Sequence, residues 1–298
     1  MRLSAAFLFA AFQGSMMVEG AAGPIQKESL PLKMDDALNA AHGGNTMPIP
    51  PFGNLIIGGM SVSEGSFPYM AVMEMTKGAV HCGGVMIAPT WFLTAAHCFR
   101  AIEDQPFYII AGSNKRSAIP YRVKGKSYLA HPSYQAFSGW DVGLVETQSP
   151  ILLSSYARIL PEADDSSHPL PYTALGWGID NVQKRTAPDQ LQQVSLMPAD
   201  HEQCNLAGGS HWEENGFLCA GGLNRDTCFG DSGGPLLSQS SETGMYGVVG
   251  LTSFGANSQG QSSACGGAFD MGFYWDITPA IPWILQNSGL QSSSLVMS

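Results

Sequence analysis

The sequence predicts an all-β, turn-rich protein, and three observations carry that expectation. Only 13% of the residues are charged, while 35 are Gly and 19 are Pro, a balance that disfavours a helical bundle. Short apolar runs with β-branched or aromatic residues recur along the chain, separated by Gly-, Pro- and Ser-containing stretches. Six cysteines follow an export-type N-terminus and read as three disulfides.

That N-terminus comes first. One cation, Arg2, precedes a short apolar run ending near Phe12, and small residues follow at Gly20, Ala21 and Ala22. This is the layout of a signal peptide over residues 1–22, too short to span a bilayer, so a secreted, extracellular protein without a membrane segment is expected. Residues 23–55 hold Pro24, Pro31, Pro48, Pro50 and Pro51 and show no strand alternation; they read as a linker or a propeptide. Strands are expected over Met70–Met75, Val85–Leu93, Phe107–Ala111, Tyr121–Ala130 and Tyr246–Leu251. The Ser-rich end, 290–298, is expected to be disordered. A net charge of −10 with no basic patch argues against nucleic acid as a partner. At 298 residues the chain has room for one large domain or two small ones.

The chemistry is concentrated between Arg225 and Pro235, in Arg-Asp-Thr-Cys-Phe-Gly-Asp-Ser-Gly-Gly-Pro. Glycines around Ser232 let the backbone bring its N–H groups close to a substrate. The N–H groups of Gly230 and Ser232 would suit an oxyanion hole, often the main source of rate enhancement in acyl transfer. A serine nucleophile needs a histidine base and a group to orient it. Gly-Asp-Ser-Gly-Gly-Pro in full resembles the active-site signature of the chymotrypsin/trypsin family. Thr94-Ala95-Ala96-His97-Cys98 resembles that family's catalytic-histidine motif, and Asp141-Val142-Gly143-Leu144 its aspartate segment. The order His97, Asp141, Ser232 is the family's order.

The resemblance covers about residues 56–288 and implies two six-stranded antiparallel β-barrels with a C-terminal helix near Ile281–Leu285. It implies a protease domain over 56–289, with 23–55 as its propeptide. Ile56-Ile57-Gly58-Gly59 is similar to the start of the mature enzymes. Cleavage after Leu55 would free the Ile56 ammonium to pair with the buried carboxylate of Asp231. The family usually carries Arg or Lys before this cut, so Leu55 implies a separate activating protease. The resemblance pairs Cys82 with Cys98, Cys204 with Cys219 and Cys228 with Cys265. A further family bridge would join the positions held by Tyr172 and Ser238, and both cysteines are absent. The Gly112–Arg116 loop is short and basic where many relatives carry acidic calcium ligands, so no metal is expected, and no cofactor is implied. Gly143 replaces the family's usual Ala and should be tolerated.

Asp226 stands where trypsins place the floor of the primary specificity pocket, with Thr227 beside it and Ser253, Phe254, Gly255 and Gly272 along its walls. A carboxylate there selects Arg or Lys before the cut. Phe254 replaces the usual tryptophan, Phe229 would add an apolar lip, and Ala256–Ala264 is longer than the family norm. His81 reads as a surface histidine. Two other readings stand beside this one: the same enzyme with chymotrypsin-like or elastase-like preference, and a non-catalytic homologue that binds without cutting. The implied partners are protein or peptide substrates, the activating protease and protein inhibitors of proteases, met by a monomer.

Overall fold

The computed structural model describes residues 56, 58–102, 105–161, 171–179, 187–222, 225–261, 265–267 and 270–297. The expected signal peptide and propeptide, Leu55 included, lie outside the described residues. Seven strands form the first half: β1 (Met60–Ser61), β2 (Met70–Glu74), β3 (Val80–Ala88), β4 (Trp91–Thr94), β5 (Tyr108–Ala111), β6 (Tyr121–Ala130) and β7 (Gly143–Thr147). Six of them close an antiparallel barrel in the order β2-β3-β4-β7-β6-β5. The apolar run Val85–Leu93, expected as one strand, is broken by a turn at Pro89-Thr90 into β3 and β4. Proline cannot donate to a ladder, so it falls in the turn.

The second half contributes β8 (Tyr172–Gly176), β9 (Gln192–Leu196), β10 (Phe217–Gly221), β11 (Pro235–Gln239), β12 (Tyr246–Ala256) and β13 (Met271–Asp276). With the two-residue β1 on its edge, this sheet has the order β1-β9-β8-β11-β12-β13-β10. Its ends curl towards each other: Pro198, just past β9, bridges Ala220 of β10. Ala199 N–H donates to Cys219 O at 3.0 Å, and Gly221 N–H to Met197 O at 3.2 Å. Where two six-stranded barrels are expected, the first half closes through its strands, while the second is a seven-stranded sheet whose far strands are tied by the residues after β9.

Three apolar cores result. Met73, Met86, Phe92, Ile109 and Val145 fill the first barrel. Ile56, Ala174, Val194, Leu236, Val249 and Tyr274 form the core of the second sheet. A third core, with Val72, Leu93, Leu144, Leu175, Leu237 and Trp275, draws on strands of both. The three disulfides are Cys82–Cys98, Cys204–Cys219 and Cys228–Cys265. The β8–β11 register sets Leu236 opposite Ala174 and Leu237 opposite Thr173, each next in the chain to one position of the absent bridge, Ser238 and Tyr172.

Helix α1 (His201–Gly208) starts at Asp200, whose carboxylate accepts the N–H groups of Glu202 and Gln203. Helix α2 (Ile281–Ser288) is the expected C-terminal helix and ends on left-handed Gly289. The tail beyond it corrects an expectation. Residues 290–297 are folded, with a short helix α3 (Ser292–Leu295), and Leu295 is 0% exposed. Composition points to disorder because of the serine run Ser292-Ser293-Ser294, yet Leu295 and Met297 are both buried. Ile159 N–H donates to Leu295 O at 2.7 Å and Met297 N–H to Ile159 O at 2.8 Å. The connection between the two halves and the tail thus share a ladder.

Candidate active site

The segments carrying His97, Asp141 and Ser232 meet where the two halves touch. His97 sits in the short 3₁₀ helix Ala96–Ala101 that follows β4, and Asp141 lies just before β7, which pairs with β4. Both carboxylate oxygens of Asp141 are used on His97: Oδ1 accepts its backbone N–H at 2.9 Å, and Oδ2 lies 2.8 Å from Nδ1. That contact places the Nδ1 proton towards Asp141 and leaves Nε2 facing away. Asp141 is buried, which alone would raise its pKa. The charge of His97 and hydrogen bonds from the His97 side chain, Ser253 and the His97 backbone outweigh burial and hold it below the usual carboxylate range.

Ser232 follows fully buried Asp231 and precedes β11. Its carbonyl accepts Gly83 N–H of β3 at 2.8 Å, a bond from one half to the other. His97 Nε2 lies 3.8 Å from Cys98 Sγ, and the Ser232 carbonyl 3.9 Å from the same sulfur, so the two residues flank one disulfide. Ser232 Oγ makes no hydrogen bond to a described residue, and neither do the N–H groups of Gly230 and Ser232. Catalytic hydrogen bonds often tighten only around a substrate. Gly233 has φ 75°, and a Cβ there would overlap Thr94 Oγ1. Only glycine fits both the dihedral and the close approach that brings Ser232 to the first barrel.

Cys82, His97 and Cys98 also place three metal-ligand atoms within 4.8 Å of one another. The two sulfurs are bonded to each other, which removes the thiolates a metal would need.

Asp231 has no cation beside it among the described residues. Its Oδ1 accepts Gly178 N–H at 2.7 Å and its Oδ2 accepts Cys228 N–H at 2.9 Å. Burial pushes its pKa up to about 6, against the pull of those two amides. A Cβ at Gly176 or Gly178 would strike the carboxylate, so the Gly-Trp-Gly run is the wall of its cradle.

Asp226 is 1% exposed. Its Oδ2 has one long contact, Gly266 N–H at 3.4 Å, and its Oδ1 has no hydrogen-bond partner among the described residues. Burial, opposed by the Gly266 and Thr227 amides and reinforced by the charges of Asp270 and Asp231, raises its pKa to about 8. Thr227 is beside it as expected, but its hydroxyl is engaged with Tyr274 OH at 3.1 Å. The side of Gly272 where a Cβ would stand is filled by Tyr274, whose hydroxyl would lie 2.7 Å away. This glycine therefore makes room for Tyr274.

Ser253, expected on the pocket wall, also reaches the catalytic cluster: its Oγ donates to Asp141 Oδ2 at 2.5 Å. Next to it, Phe254 stacks on Phe273 at 4.7 Å and meets Phe137 edge-on at 5.4 Å. Phe137 is 64% exposed and left-handed, φ 61°, a conformation few side chains adopt. Sequence reasoning misses Phe137 and the second role of Ser253, because both depend on contacts more than 100 residues apart in the chain.

Comparison with known proteins agrees with this geometry. The family description Trypsin matches residues 56–284. Transmembrane protease serine 11C of Mus musculus is 30% identical over 289 residues, covering 93% of this chain and 63% of the mouse protein. The chain thus spans less than two thirds of that relative's length. Within the described residues no helix is long and apolar enough to cross a membrane. With the match covering both halves of the fold and all three segments that meet at their junction, the chain belongs to the trypsin family of serine proteases.

Proposed function

We propose that the chain is the secreted precursor of an endopeptidase that cuts after Arg or Lys. Ser232 Oγ attacks the scissile carbonyl while His97 Nε2 takes its proton and later delivers it to the leaving amine. Asp141 holds the imidazole and stabilises its charged form. The unengaged N–H groups of Gly230 and Ser232 receive the oxyanion.

The observation that carries the specificity is that the buried Oδ1 of Asp226 has no hydrogen-bond partner among the described residues. A buried carboxylate oxygen without a partner is costly, and a guanidinium or ammonium supplies both donors and opposite charge. An apolar side chain would leave the oxygen unpaired. Activation follows similar logic at Asp231. Cleavage at Leu55–Ile56 by a separate protease gives this buried carboxylate a cationic partner in the new Ile56 terminus, and the pair orders the pocket. Protein or peptide chains are the substrates, and protein inhibitors would occupy the same cleft.

The test uses protein whose new N-terminus is Ile56, assayed on matched Arg, Lys, Phe and Leu amides. Turnover of Arg and Lys, lost in Ser232→Ala and shifted away from cations in Asp226→Ser, is expected. Faster turnover of Phe or Leu by the parent would overturn the pocket reading, and inert but folded, correctly cut protein would overturn the enzyme.

A further inference from the structure

Beside Asp226 stands a second buried acid that the site described so far does not use. Asp270 lies just before β13, and its Oδ2 accepts Gly267 N–H at 2.7 Å. Its backbone is tied as well: Asp270 N–H donates to Gly267 O at 3.1 Å, and Asp270 O accepts Gly222 N–H, also at 3.1 Å. A Cβ on Gly267 would lie 2.8 Å from Asp270 Oδ2, so the contact is built on a bare backbone.

The preceding amide is the one that reaches the pocket floor. Gly266 N–H donates to Asp226 Oδ2. Cys265 and Gly266 are both left-handed, with φ 70° and 76°, and successive N–H groups in such a turn can face anions. Here two neighbouring amides serve two carboxylates. Cys265 is bonded to Cys228, two residues from Asp226. Asp226, Thr227, Cys228, Cys265 and Gly266 therefore form a ring whose single non-covalent link is the 3.4 Å contact back to Asp226. The disulfide holds one side of Gly266. On the other side, Asp270 holds Gly267.

We propose that Asp270 is a positioning residue for cation recognition: by fixing Gly267 it keeps the Gly266 amide on Asp226 Oδ2, which leaves Oδ1 open for the substrate's cation. This rests on reading Asp226 as the floor of an Arg/Lys pocket. Asp270 also brings a negative charge to that floor, adding to the field a cationic side chain meets. Other titratable groups acting on Asp226 are Asp231 and Tyr274. Arg225, its chain neighbour, is exposed and donates to Ser195 O at 3.3 Å.

The experiment compares Asp270→Ala and Asp270→Asn with the parent, all cut to Ile56 and normalised to sites titrated by a fluorophosphonate. Removing the acceptor in Asp270→Ala should raise KM for an Arg amide by about tenfold, the scale of one charge-assisted hydrogen bond, with a much smaller change in kcat. Asp270→Asn keeps an oxygen for Gly267 and should recover most of that loss. It removes a like charge, so its kcat/KM profile should shift to lower pH. An unchanged KM in Asp270→Ala, or losses in kcat alone, would overturn the proposal. If Asp270→Ala yields no titratable sites, Asp270→Asn decides: a downshifted profile supports the proposal and a superimposable one overturns it. A parent that ignores Arg but cuts Phe overturns the pocket reading and this inference together. A parent that cuts Arg, matched by its Asp270→Ala variant, overturns this inference alone.

Discussion

Ser253 Oγ and His97 Nδ1 converge on one oxygen, Oδ2 of Asp141, at 2.5 and 2.8 Å. Ser253 comes from the second half of the chain and His97 from the first, so the hydroxyl locks the orienting carboxylate across the junction. Hydrogen bonds to a charged group contribute about 1.5–3 kcal/mol. Ser253→Ala is therefore expected to lower kcat on an Arg amide by roughly tenfold or more, with KM little changed, since the contact acts on the base and not on substrate. Steady-state kinetics on titrated enzyme would decide. A parent-like kcat would make the hydroxyl incidental.

Asp226 supplies a pH dependence with a definite sign. On the proposed reading of Asp226 as the pocket floor, its carboxyl is raised to about 8, chiefly through burial. A cation binds the ionised form, so below that value binding has to expel a proton. Affinity for benzamidinium, which stays charged throughout, should weaken by about tenfold per pH unit below about 8 and level off above it. Calorimetry in buffers of different ionisation enthalpy would show proton release at pH 7. A flat affinity from pH 6 to 9 would mean that Asp226 is already ionised before the cation binds.

What the sequence discloses and what it withholds divide along physical lines. The family resemblance marks His97, Asp141 and Ser232 through short local motifs, and the structure sets His97 Nδ1 2.8 Å from Asp141 Oδ2. The cysteine pairing is legible through the family resemblance. Ser253 reads as a pocket-wall residue, and its bond to Asp141 escapes notice because nothing local distinguishes a serine that faces a substrate from one that faces a carboxylate 112 residues away. Asp270 is hidden for the same reason. The Ser-rich tail misleads because composition counts residues, whereas folding needs only Leu295 and Met297 to find a groove.

That groove makes the tail a clasp. Arg158 Nη2 donates to Val296 O at 2.5 Å and Ser293 O at 3.3 Å. Leu160 N–H donates to Val248 O of β12, while Ala157 N–H reaches Met86 O of β3. The tail thus grips a segment that touches both halves. Burying Leu295 and Met297 contributes about 1.5–3 kcal/mol each, so truncation after Gly289 should cost roughly 3–6 kcal/mol and lower the urea midpoint accordingly. An unchanged midpoint would show that the tail is a passenger.

The last prediction concerns Gly143, which replaces the family's usual alanine. By sequence it is a tolerated departure, but the structure makes it a requirement. A Cβ there would overlap Phe99 Cε2 and lie 3.3 Å from Leu129 O. Phe99 is two residues beyond His97, and Gly143 two beyond Asp141, so the pair sets how closely the two segments approach. Phe99 is itself held against Tyr128 at 4.8 Å, and its ring has little room to retreat. Overpacking of this kind costs about 1–3 kcal/mol. Gly143→Ala should therefore lower both stability and kcat, the second because a displaced Phe99 drags His97 from Asp141. Phe99→Leu alone leaves a void and should also destabilise. Combined with Gly143→Ala it relieves the clash, and the double mutant should be more stable than the sum of the single changes predicts. Additive losses in that cycle would mean that the glycine serves the backbone and that Phe99 has no part in its selection.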